Sequence, residues 1–236
     1  MRLFQLAYVC RAYGDLTQYD AEYLNFLHRT SGKLDFSTPT DMTALLEWLN
    51  SWGCRQFAVD CHQQAADSIL KWAEKWEPAL PSASMTLDRL SDEDIQVVGD
   101  AYAELSKCLA STRTRSGRQY DVRVGPTGAA KILFAARPKV FPPWDEPIRA
   151  KFGWDGRLGS YRAYLACVRE QVRELRGEAA ELGISPEDIP SAIGRPRSTL
   201  PKLIDEFNWV TITKRFVPPE PDEIARWYRW SSHRPD

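Results

Sequence analysis

The stretch GPTGAAKILFAARPKVFPPWDEPIRAKFG, residues 125–153, decides how this chain is read. Val124-Gly125-Pro126 sets a tight turn, and Gly128-Ala129-Ala130 begins a helix with almost no side-chain bulk. A glycine turn feeding a bare helix N-terminus leaves backbone N–H groups and the positive end of the helix dipole exposed, which suits a phosphate. From Ala129 to Ala136 the helix is apolar apart from Lys131, and it ends at Arg137-Pro138. The chain then bends through Phe141-Pro142-Pro143, and Asp145 stands where the next helix begins. On that position alone Asp145 reads as the N-cap of the helix that follows.

Around this stretch the chain is basic. From Lys107 to Lys139 there are eight basic residues (Lys107, Arg113, Arg115, Arg118, Arg123, Lys131, Arg137 and Lys139) and one acid, Asp121. The window carries +7 in a chain of net charge −1, so the remainder carries −8. Such asymmetry fits a phosphate-facing patch on an acidic body. It also fits a solvated loop, STRTRSGRQ, that is basic without a ligand.

Further out, the pattern is helical. Asp41 can cap a helix through MTALLEWLNSW, with Gly53 as its stop. Ile69, Trp72, Ala73 and Trp76 fall on one helical face that ends before Pro78. Ser91 and Asp94 resemble a capping box, followed by the stripe Ile95, Val98, Tyr102 and Leu105. Tyr161, Leu165, Val168, Val172 and Leu175 form another stripe, and Ser198 or Thr199 starts a short helix, LPKLIDEFNW. The one good strand candidate is WVTITKRFV, residues 209–217, and one strand makes no sheet. The expected class is all-α.

The 236 residues, 43% apolar and 27% charged, are enough for a large core in one domain or two lobes. No run of about 18 apolar residues suggests a membrane span, and the N-terminus lacks a secretory pattern. Five scattered cysteines (Cys10, Cys54, Cys61, Cys108 and Cys167) form no CxxC pair, which points to reduced thiols and a cytoplasmic location. Cys61-His62 with Cys54 lacks metal-ligand spacing, and His28, His62 and His233 suggest no role.

The central stretch resembles the core motif of the helix-hairpin-helix DNA glycosylase superfamily. In that family a hairpin, typically Leu-Pro-Gly-Val-Gly, opens a helix, and a catalytic Asp follows twenty residues after the last hairpin glycine. Here Val124-Gly125 matches the hairpin's end, Ala129 the helix alanine, and Asp145 lies twenty after Gly125. Phe141-Pro142-Pro143-Trp144-Asp145 looks like the elbow of adenine-type members, and Ile148 and Arg149 fit the helix after it. The likeness covers about thirty residues. Asp121, Val122 and Arg123 replace the family's Leu-Pro-Gly, and RSGRQYDV makes a poor first helix, so the hairpin, which in the family binds a monovalent cation, departs from the pattern. Thr127 occupies the place of the lyase lysine, and the iron–sulfur cysteines are absent.

The resemblance implies a two-lobed helical fold with a central cleft. One lobe would span residues 36–136, and the other would combine 1–35 with 137–236. It implies a monofunctional DNA glycosylase that hydrolyses an N-glycosidic bond and leaves an abasic site in double-stranded DNA. No cofactor, membrane or obligatory protein partner is implied. Asp145 would stabilise positive charge on the deoxyribose and activate water. Arg118, Arg123, Gly125, Thr127, Gly128 and Lys131 would contact DNA, with Lys131 also able to approach the pocket or to snorkel. Tyr120 and Trp144 would line the pocket for the flipped base, although Trp144 equally suits the core. The departures point to a specialised base. One such class is the bulky, hypermodified base of some viral DNA, whose hydroxyls need a wide polar pocket; its removal would be an antiviral defence. The alternatives are a DNA-binding module that has lost catalysis and a helical interaction protein.

Overall fold

Two backbone bonds draw the end of helix α5 (Asp92–Leu105) to the start of helix α6 (Gly125–Ala136). The Gly125 amide donates to Ser106 O and the Val124 amide to Cys108 O, both at 2.9 Å. Gly125 has φ +68°, where a side chain would be strained, so this turn requires glycine. The computed structural model describes residues 1–232, and His233 lies outside the described residues.

Between those helices the chain loops out as an antiparallel hairpin, β1 (Leu109–Arg115) and β2 (Arg118–Arg123), with Arg113 opposite Tyr120 and Arg115 opposite Arg118. Ser116 and Gly117 turn it with φ of 52° and 76°. Positive φ at both central positions is the type I′ signature, whose twist matches that of the strands. The basic segment is therefore an ordered hairpin, and RSGRQYDV is neither a loop nor a first helix.

The strand expected over residues 209–217 does not form. Helix α10 (Leu200–Asn208) runs on into a π-type turn, Trp209–Thr213, where the Lys214 amide bonds Trp209 O at 3.2 Å. A lone strand there would leave its backbone groups unpaired, whereas the wide turn pairs them and lets Trp209 meet Tyr13 edge to face at 5.4 Å. Among the described residues, β1–β2 is the only sheet, and the fold is largely α-helical.

The expected helix signals have clear local causes. Helix α3 (Pro39–Ser51) begins at N-cap Thr38, three residues earlier than Asp41 suggests; the Asp41 carboxylate instead accepts the Asp35 amide at 3.0 Å. It stops at Gly53, φ +81°, where the Cys54 amide returns to Leu49 O. Ser91 and Asp94 form a reciprocal capping box on α5. Helix α4 (His62–Trp76) ends before Pro78.

Helix α3 packs on α6, as does Tyr23 of helix α2 (Tyr19–Arg29), whose ring lies 5.0 Å from that of Phe134, and the 24-residue helix α8 (Leu158–Glu181) packs on α5, α10 and helix α1 (Leu3–Leu16). α6 is buried from Gly128 to Ala136, and full burial of Ile132, Leu133 and Phe134 contributes about 2 kcal/mol apiece. One core cluster runs continuously from Leu3 to Ile204, joining both expected lobes. Short helices α7 (Glu146–Lys151) and α9 (Ile189–Ala192) and the terminal α11 (Pro221–Ser232) complete the chain. No helix among the described residues is long and apolar enough to cross a membrane.

Candidate active site around Asp145

The elbow between α6 and α7 is held from beneath. Trp144 is fully buried and stacks on Tyr164 with ring centroids 5.0 Å apart and planes at 10°. The Tyr164 hydroxyl donates to Pro143 O at 2.6 Å, and the Thr199 hydroxyl donates to Pro138 O at 2.7 Å. Two prolines restrict the backbone between these anchors. Asp145 follows directly on the core aromatic, so its backbone is fixed while its side chain stays 27% exposed.

Asp145 is the N-cap residue of α7, with extended φ −84° and ψ 158°, but its side chain caps nothing. The carboxylate turns to Lys131 instead, with Nζ 2.9 Å from Oδ1. Lys131 is 5% exposed; its ammonium also donates to Trp52 O at 2.8 Å and lies 5.5 Å from the Trp52 ring centroid. Burial pulls the Lys131 pKa down, but the charge and hydrogen bond of Asp145, with smaller help from Cys54 and Asp205, together hold the amine above its ordinary value. Cys54 is close enough to feel both charges, and burial pushes its thiol up to about 11.

Arg149, one turn into α7, closes the start of α6. Its Nη1 donates to Thr127 Oγ1 at 3.0 Å and to Trp144 O at 2.7 Å, and its guanidinium lies 5.3 Å from the Trp144 ring centroid. Gly128 lies close to another side chain: a Cβ there would stand 2.7 Å from Gln56 Nε2, which donates to Val124 O, so the end of Gln56 would have to move aside. Thus Gly125, Thr127, Gly128, Lys131 and Asp145 are drawn into one region by the turn, the elbow and two cations.

Two expected roles are corrected. Lys131 cannot serve as a surface phosphate contact or snorkel, because its ammonium is buried and committed to Asp145 and Trp52. Trp144 belongs to the core and not to a pocket wall. Tyr120 is 47% exposed on the hairpin, on the same face as Arg113, Arg115 and Arg118. Among the described residues neither Tyr120 nor Arg118 bonds to the Asp145 group. Arg123 is tied to Asp121 at 3.0 Å and to Lys107 O at 3.3 Å, which leaves it less free than Arg118.

Cys61 and His62 have structural partners, Thr112 O and the Asn50 amide. Among the described residues no group of three or more His, Cys, Asp or Glu side chains is placed to hold a metal.

Sequence reasoning missed Asp205 on α10, a carboxylic acid only 8% exposed. Burial raises its pKa well above the usual carboxylate range; the charge of Asp145 adds to this, while Lys131 and Lys202 oppose it. The signal was present in LPKLIDEFNW, where three charges sit in a short apolar helix, but such charges ordinarily face solvent. No protein-family model matches the chain, and neither a curated protein nor a solved structure matches it.

Proposed function

We propose that this chain is a monofunctional DNA glycosylase with a two-lobed helix-hairpin-helix arrangement, residues 36–136 facing residues 1–35 and 137–236. The observation that carries this reading is Asp145: a partly exposed carboxylate on a rigid elbow, twenty residues after the Gly125 turn, with a buried ammonium 2.9 Å behind it.

Breaking an N-glycosidic bond builds positive charge on the deoxyribose, and a fixed carboxylate stabilises that charge without reorganising. The same carboxylate accepts a proton from the attacking water. Lys131 fixes one oxygen, leaving the other for sugar or water. An amine held protonated cannot attack the sugar to form a Schiff base, and Thr127 stands where the lyase lysine would be, so both features support hydrolysis without strand cleavage.

The exposed hairpin is the proposed backbone grip. Residues 107–123 carry five basic side chains and one acid, and Arg113, Arg115, Arg118 and Tyr120 share one face. The proposed substrate is a bulky, modified base, because both the inserted hairpin and the elbow depart from the family's pattern. Its excision from viral DNA would be a defence.

The test uses duplexes containing ordinary bases, uracil, 8-oxoguanine, an alkylpurine, hydroxymethylcytosine or glucosylated hydroxymethylcytosine. The expected product is an intact strand that breaks only after heat or alkali, from one of the last two. Prompt nicking would overturn the monofunctional mechanism, and release of a common damaged base alone would overturn the substrate proposal. Duplex affinity should also fall steeply with salt, and Arg118→Ala should lower the slope of log affinity against log salt by about one. An unchanged slope would remove the hairpin from the DNA footprint.

A further inference from the structure

We propose that Arg149 is the positioning residue that aims the Asp145 carboxylate, by holding the peptide groups on both sides of Asp145 against α6. This rests on the glycosylase reading above and extends it to the group that sets the geometry of the reaction.

Both carbonyls that flank the Asp145 Cα bond to Arg149. The Arg149 amide donates to Asp145 O at 3.1 Å, and its side-chain Nη1 donates to Trp144 O at 2.7 Å. Nη1 carries two hydrogens, and the other goes to Thr127 Oγ1 at 3.0 Å, in the first turn of α6. One nitrogen thus bridges the residue before Asp145 and the helix that carries Lys131. The guanidinium is itself held in place. The Trp144 ring centroid lies 5.3 Å from it, and Gly156, at φ +78°, passes close by. A Cβ on Gly156 would stand 2.9 Å from Pro126 Cγ and 3.4 Å from Arg149 Nε. The Tyr102 hydroxyl donates to Gly156 O at 2.8 Å and fixes that loop in turn.

The usual local restraint is missing at this point. The Asp145 side chain does not cap α7, because its carboxylate bonds Lys131 instead. α7 has only six residues, so its own hydrogen bonds hold the elbow weakly. Lys131 fixes one carboxylate oxygen, but a bond to a side chain leaves the backbone beneath it free to shift. Arg149 removes that freedom. Thr127 and Lys131 are four residues apart and so share one face of α6. Asp145 is therefore clamped twice on the same helix face, by its backbone through Arg149 and by its carboxylate through Lys131.

Such a clamp matters to the rate more than to binding. A carboxylate stabilises charge growing on the sugar only while it keeps its place, and a shift of about 1 Å can cost about 10²-fold. Arg149 touches neither sugar nor water in this role and acts only through Asp145. Thr127 enters the site as the anchor of the clamp.

The test compares Arg149→Met, Arg149→Lys and Thr127→Val with the wild type in single-turnover base release at saturating enzyme, duplex affinity and melting temperature. Arg149→Met should slow release by about 10- to 10²-fold while affinity stays within about twofold. Arg149→Lys keeps a cationic donor and should recover part of the rate. Thr127→Val keeps the shape of the residue and removes only the hydroxyl, so release should slow by about fivefold. The losses should not multiply in the double variant Thr127→Val/Arg149→Met, because both substitutions break one clamp, and its rate should match that of Arg149→Met. A residue that only supports folding gives a different pattern, in which the folded fraction releases base at the normal rate. Full release by folded Arg149→Met, or losses that multiply in the double variant, overturns the positioning role alone. So does a fall in affinity with release at saturation unchanged, which makes Arg149 a DNA contact instead. If Arg149→Met does not fold, Thr127→Val decides: slowed release at unchanged affinity supports the clamp, and full rate overturns it. A wild type that releases no base from any duplex in the panel overturns the glycosylase reading and this role with it.

Discussion

Asp145→Asn should reduce base release by at least about 10²- to 10³-fold while leaving duplex affinity within about twofold. The carboxylate acts where charge develops on the sugar, so its loss raises the barrier without removing a contact to the phosphates. The substitution is also nearly isosteric. The amide oxygen can still accept from Lys131, which remains bonded to Trp52 O, so the elbow keeps its place. The ammonium then loses the charge that opposes its burial, and its pKa should fall. Any cost to stability is limited because the Asp145 side chain is 27% exposed. The measurements are single-turnover release, duplex binding and circular dichroism on the same preparation. A variant that stays folded, binds DNA and turns over at the normal rate would remove Asp145 from the chemistry.

Much of this site follows from local sequence, and the remainder depends on what the fold brings together. Glycine at 125 and twenty residues to Asp145 are local facts, and so is the elbow's stiffness, which comes from Pro142 and Pro143. The helical stripes were legible because Tyr161, Leu165, Val168, Val172 and Leu175 repeat on one face, and all are buried. The hairpin was not, because LASTRTR and RQYDVR carry polar residues on both faces; the pairing depends on the Ser116-Gly117 turn more than on an apolar alternation. Residues 209–217 gave the opposite error: β-branched and aromatic residues there had no strand to pair with. Lys131 looked like a surface cation since a lysine alone on an apolar helix ordinarily snorkels. Its true partner was fourteen residues away around the elbow, a contact that no periodicity encodes. Asp205 was hidden because charges in a short helix ordinarily face solvent, whereas this one is buried.

Glu206→Ala should destabilise the protein by about 3–5 kcal/mol, the usual cost of leaving a buried charge without its partner. Glu206 and Lys202 are each only 1% exposed in their side chains, and they are bonded to each other on α10. Arg195 forks onto Glu206 with two bonds of 2.8 Å, while also donating to Cys10 O at 2.9 Å. Asp20 completes the group, 2.6 Å from Lys202 and 3.0 Å from Arg195. Two cations thus face two anions, and removing Glu206 leaves an uncompensated positive charge that Asp20 alone cannot satisfy. Although burial raises the Asp20 pKa, Lys202 and Arg195 hold it below the ordinary value. Its stabilising share is therefore present above about pH 4 and lost as pH falls through the lower folded-state value. The network joins α10 to α1 and α2. Urea unfolding checks the loss of stability. The double variant Lys202→Met/Glu206→Leu provides the sharper comparison, because replacing a buried ion pair with apolar groups is often neutral or stabilising. Recovery of most of the lost stability in that double variant would place the cost in the orphaned charge. If Glu206→Ala instead unfolds at the wild-type urea concentration, the network does not hold α10 in place.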